Sequence, residues 1–211
     1  MSAQTNRTDR PTLSGLERAS PLSGIGCVAF SYRDTLEDLT APMVDGTRAM
    51  AADCVSVLRT LADHHLRLML SADNKPGDHI WPALNAAGVD HLFRVRLTSA
   101  ALGIEKDDPA WWRGLVAYSG CAAWCVLHVG ADIETDVIAP ARCGLRVALV
   151  RPNGASDYEQ ARLPGGALVI NHLRDLLPLL VSDTAPAHEP GNSPVTRYYA
   201  GRKQTENNRP H

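Results

Sequence analysis

The chain has 211 residues, 45% of them hydrophobic, with 21 basic against 23 acidic side chains and a formal net charge of −2. That apolar content excludes a wholly disordered chain and suits one medium domain, and the near-neutral balance leaves no electrostatic footprint for nucleic acid. No apolar run approaches the ~20 residues that span a bilayer, and the polar start MSAQTNRTDRPTLSG holds no secretory apolar segment. Five cysteines without a C-x-x-C pair suit a reduced, cytoplasmic protein.

Residues 1–22 are polar and rich in Ser, Thr, Arg and Pro, and residues 183–211 mix prolines with polar groups around Tyr198 and Tyr199. Both are expected to be disordered tails flanking one domain over 23–182. Within it, GIGCVAF (24–30) predicts a buried strand. Met50, Cys54, Val57, Leu58 and Leu61 recur at helical spacing. LRLML (66–70) is a second strand ending at Ser71. Residues 80–87 form a helix closed by Gly88, and HLFRVR (91–96) is a third strand. Asp108 then Pro109 start a helix that carries Trp111 and Trp112, one of which is expected to face outward. WCVLHVG (124–130) is a fourth strand. A short helix over 136–143 stops at Gly144, LRVALV (145–150) and ALVI (167–170) follow as strands, and NHLRDLLPLL closes the domain near Pro178.

Strand and helix in alternation predict an α/β protein, a Rossmann-like doubly wound and mostly parallel sheet. Ligands of such sheets sit at the carboxyl ends of the strands. Attention therefore falls on 31–35, 71–74, 96–106 and 130–136.

These positions carry a pattern. HVGADIETDVIAPARCGLRVALV (128–150), LRLMLSADN (66–74) and LGIEKDDPAWWRGL (102–115) stand in order, and across roughly 24–181 the chain resembles the haloacid dehalogenase (HAD)-like superfamily, most of whose members are phosphatases. The resemblance implies a HAD-like core; the short spacing between its first two motifs implies a minimal cap or none. It also implies phosphoryl transfer through an aspartate nucleophile, a second aspartate as acid and base, and Mg²⁺.

The first motif departs from the family's Asp-x-Asp-Gly-Thr. In VAFSYRDTL (28–36), Ser31 stands at the nucleophile position, Arg33 at the acid/base position and Asp34 at the glycine, while Thr35 and Leu36 fit. A literal Asp-Gly-Thr at 45–47 follows no apolar strand and is read as a turn. In the fourth motif Ala131 replaces the first acid, Asp132 falls one place late, and Asp136 keeps the second.

A hydroxyl without an adjacent base is a weak nucleophile, and a guanidinium opposes a divalent cation. The expectation is a catalytically degenerate protein with a binding, regulatory or accessory role and no cofactor. Ser71, Lys106 and Arg33 would form a residual pocket for a small anionic or phosphorylated ligand, or an Arg33–Asp136 pair would close the cleft. The alternative is an atypical hydrolase using Ser31 or Asp34, with Mg²⁺ on Asp132 and Asp136. A protein partner is open; nucleic acid and membrane are not expected. Cys121, Cys125 and His128 resemble metal-ligand spacing, but a strand alternates faces, so core or surface roles are expected. His64 and His65 mark a helix end, and Arg94 and Arg96 a solvated face.

Overall fold

The computed structural model describes residues 22–44, 48–73 and 80–181. Six strands form one wholly parallel sheet: β1 (Cys27–Phe30), β2 (Arg67–Ala72), β3 (Phe93–Thr98), β4 (Val126–Gly130), β5 (Arg146–Val150) and β6 (Leu168–Ile170), in the spatial order β3-β2-β1-β4-β5-β6. The helices are α1 (Ala52–Asp63), α2 (Ile80–Ala86), α3 (Ser99–Leu102), α4 (Pro109–Ser119), α5 (Ala139–Arg142), α6 (Asp157–Arg162) and α7 (Leu177–Leu180). This is the α/β architecture expected.

Burial on both faces explains why the strands read as continuous apolar runs. Val28, Phe30, Leu68, Leu70, Leu127 and Val129 pack towards α1, α2 and the C-terminal turn. Cys27, Ala29, Met69 and Val126 point the other way, onto Trp111, Trp112 and Leu115 of α4. The chain builds β1, β2 and β3 outward in one direction, then returns to place β4 beside β1. The order therefore reverses between β1 and β4, and a crevice opens past their carboxyl ends.

Several element ends differ from the sequence reading. β2 continues through Ser71 to Ala72, so the first residue past the strand is Asp73. Residues 90–92 and 123–125 are 3₁₀ turns that precede β3 and β4. The helix expected over 136–143 is a π-helical segment, Ile133–Ile138, followed by α5. Pro178 sits in the first turn of α7, where a missing N–H costs nothing, and so does not interrupt it. α3 and α6 were not anticipated, both being too short to show a period. Trp111 and Trp112 are both fully buried and stacked on each other, ring centroids 5.8 Å apart, which corrects the expectation that one faces outward.

Between β1 and β2 the described chain includes an isolated antiparallel bridge (Glu37 with Met50) and α1. The Asp-Gly-Thr at 45–47 and both expected tails lie outside the described residues. No described helix is long and apolar enough to cross a membrane.

Candidate functional site

Three segments converge on the crevice. Ser31, Arg33 and Asp34 follow β1, Asp73 follows β2, and Ala131, Asp132, Thr135 and Asp136 follow β4. Together they line a cavity of about 320 Å³. Ser31 is pinned at its base, its N–H donating to the Val129 carbonyl of β4 at 2.9 Å.

Asp34, just past β1, has φ +54°. That left-handed conformation is cheapest for glycine, and aspartate tolerates it better than most residues. The buried Glu37 carboxylate braces the turn, accepting from the Asp34 N–H at 3.3 Å and lying 3.9 Å from the Arg48 guanidinium.

Lys106 arrives from the loop before α4 and is buried beneath the cavity. Its ammonium pairs directly with Asp136 Oδ1 and donates towards Ser31 Oγ at 3.4 Å. Asp136 Oδ2 accepts the N–H groups of Ala131 (3.0 Å) and Asp132 (3.1 Å). Burial raises the Asp136 carboxyl, but the Lys106 ammonium and these hydrogen bonds outweigh it and hold the group below its ordinary value. Gly130 is indispensable to this packing, since a Cβ there would collide with the Asp136 side chain. Arg151, just past β5, donates to the Ala131 carbonyl at 2.5 Å and to Glu159 at 2.8 Å, fixing the same loop from outside.

Three expectations need correction. Asp136 is held by Lys106, so the Arg33–Asp136 pair does not form; Arg33 is exposed at the cavity mouth. Lys106 is buried behind Ser31 and Asp136 and does not line the cavity, and its charge is already matched. Ser71 is fully buried inside β2, away from the cavity, with its hydroxyl 2.6 Å from His128 Nε2. The residue that β2 delivers to the cavity is Asp73, whose Oδ1 accepts from Ser99 Oγ of α3 at 2.9 Å. The signal for Asp73 was present in the alternation of LRLMLSA, whose apolar and small residues run to Ala72. The rim thus carries Asp34, Asp73 and Asp132 beside the Arg33 guanidinium.

Ser71 and His128 stand at the separation of a catalytic serine–histidine pair, but both are fully buried. The other ring nitrogen of His128, Nδ1, contacts the Asp136 backbone carbonyl at 2.8 Å. A sealed hydroxyl and a carbonyl in place of a carboxylate do not make a nucleophilic triad. Cys121, Cys125 and His128 do not converge on a metal site.

The magnesium ion that the resemblance implies can be tested against these donors. Mg²⁺ needs octahedral oxygen ligation and usually one or two carboxylates. Both oxygens of Asp136 are committed, one of them to an ammonium. Asp132 Oδ1 caps the π-helical segment, accepting from Thr135 N–H at 2.7 Å and Thr135 Oγ1 at 3.0 Å. Ser31 contributes a neutral hydroxyl and Ala131 no donor at all. Among the described residues no three His, Cys, Asp or Glu side chains come together to hold a metal. The donor set present does not fit the ion.

Sheet order and crevice give the chain a HAD-like fold. The L-2-haloacid dehalogenase of Xanthobacter autotrophicus superposes with a TM-score of 0.59 at 16% identity, over 76% of this chain and all of that one. A HAD phosphatase from Thermococcus onnurineus does so with a TM-score of 0.51 at 20% identity, over 62% and 58%. No family model matches. In sequence, the chain is 36% identical over 80 residues to the phosphoglycolate phosphatase of Pasteurella multocida, covering 38% of this chain and 35% of that protein. It is 39% identical over 74 residues to that of Haemophilus influenzae, strain 86-028NP. The chain has a HAD-like fold and is similar to these phosphatases over part of its sequence, and it spans about a third of their length.

Proposed function

We propose that this domain is a non-hydrolytic relative of the HAD phosphatases that binds a small polar ligand in the crevice past β1 and β4. The observation that carries this reading is the composition of the strand tips. Ser31 and Ala131 bring no carboxylate, and the one retained acid, Asp136, has its charge matched by Lys106. Phosphoryl transfer by an aspartyl enzyme needs an attacking carboxylate, a proton donor and a metal to offset charge; Ser31 and the exposed Arg33 supply neither of the first two roles.

What remains suits binding. Ser31 presents a hydroxyl at the floor and Arg33 a guanidinium at the mouth, which together favour an anionic group on the ligand. Asp34, Asp73 and Asp132 lie around them, which favours a ligand that carries hydrogen-bond donors or positive charge beside that anion. Arg33 sets orientation and Lys106 holds the floor in shape.

The test is hydrolysis of 2-phosphoglycolate and p-nitrophenyl phosphate over a panel of divalent metals, beside melting temperatures with inorganic phosphate and with phosphoethanolamine. The expected result is no metal-dependent turnover, and a larger thermal shift with phosphoethanolamine than with phosphate. Turnover that needs Mg²⁺ and is abolished by Ser31→Ala or Asp34→Asn would establish instead the atypical hydrolase, with Asp132 and Asp136 as its metal carriers.

A further inference from the structure

We propose that His128 is a positioning residue, held as the neutral Nδ1–H tautomer, that locks Asp136 and the cavity wall beneath the site. The inference holds whatever ligand the cavity takes.

β4 reads Val-Leu-His-Val-Gly, and His128 is its one polar side chain, fully buried. A polar group in such a strand is retained at a cost unless every atom finds a partner. Here both do. A carbonyl oxygen can only accept, so Nδ1 carries the proton and donates it to the Asp136 carbonyl at 2.8 Å. Nε2 is then an acceptor, and the Ser71 hydroxyl donates to it at 2.6 Å. The ring is wedged edge-on against Trp112, centroids 4.7 Å apart, and Trp112 in turn donates from Nε1 to the Lys106 carbonyl at 2.6 Å.

His128 therefore touches the backbone of the same residue whose carboxylate holds Lys106 and the amides of Ala131 and Asp132. It fixes where the π-helical segment leaves β4. Through Asp136 it sets the height of the wall made by 131–132 and the position of the Lys106 ammonium under Ser31. Around the ring stand Ser71 from β2, Trp112 from α4 and Asp136, with Lys106 beyond it, while Ala29 of β1 and Val147 of β5 flank His128 in the sheet.

Two measurements test this. Long-range ¹⁵N–¹H correlation spectra of the full chain at pH 7, with the His128 signals assigned by their loss in His128→Asn, read the tautomer directly. The expected result is Nδ1–H; an Nε2–H tautomer or a rapidly exchanging mixture overturns the proposal. Amide hydrogen exchange reads the lock. In His128→Leu, exchange at residues 131–136 should rise about tenfold or more, while the amides of β1 and β2 keep their protection. In His128→Asn, whose amide nitrogen stands where Nδ1 stood, protection of 131–136 should return to within about twofold of the parent. Ser71→Ala should leave both tautomer and protection in place. A uniform rise across all strands in His128→Leu, or no rescue by asparagine, reduces His128 to a packing residue. Where His128→Leu fails to fold, the tautomer and the asparagine variant decide.

Discussion

At the scale of single residues, neighbours alike in sequence differ in what they satisfy. Trp111 and Trp112 are both sealed under the sheet. Trp112 Nε1 donates to the Lys106 carbonyl, whereas Trp111 Nε1 has no hydrogen-bond partner. Losing a paired donor strands its acceptor, and losing an unpaired one does not. Trp112→Phe should therefore cost about 1–2 kcal/mol more than Trp111→Phe, read from urea midpoints at equal slope. Equal costs would mean the bond to Lys106 contributes nothing. Helix periodicity located both tryptophans, but period alone does not show which ring nitrogen meets a carbonyl.

At the scale of elements, the loop after β4 is the most demanding piece of the fold. Gly130 ends the strand with the Asp136 side chain packed where a Cβ would stand. Gly130→Ala should destabilise by about 2–3 kcal/mol and release Lys106 to acylating reagents, checked by denaturation and by peptide mass mapping. Parental reactivity of Lys106 in a folded variant would contradict this. The start of α4, by contrast, was fully legible: Asp108 accepts the Ala110 N–H at 2.7 Å, and Pro109 occupies the first turn. A capping contact spans two residues and is written locally, whereas Gly130 and Asp136 meet only because a π-helical segment folds back on the strand end.

At the scale of the whole molecule, the buried charges under the site tie stability to pH. Burial chiefly, and the Lys106 charge in addition, push the His128 pKa from 6.5 down to about 4, against the opposing pull of Asp136. The unfolded chain thus binds a proton near pH 6.5 that the folded chain refuses until about pH 4. Stability should fall as pH drops through that window, by roughly 3 kcal/mol from this one group. His128→Asn should flatten the fall, measured as urea stability at intervals from pH 7 to 4. Asp136 acts in the same sense at lower pH: its depressed carboxyl stabilises above its unfolded value, and that contribution is lost as acid protonates it. Parallel pH profiles for the parent and His128→Asn would show that His128 does not titrate as its burial requires.

The sequence by itself determined the parallel sheet and the start of α4, because strand alternation and capping are local properties of the chain. Only the tertiary structure decided which charges meet. It gave Asp136 to Lys106 instead of Arg33, turned Ser71 inward to His128, and brought Asp73 to the crevice. The physical reason is that an ion pair depends on where two strand ends and a loop lie in space, and on which side of a strand its last residue falls. β2 runs two residues beyond LRLML, which takes Ser71 inside the strand and leaves Asp73 past its end.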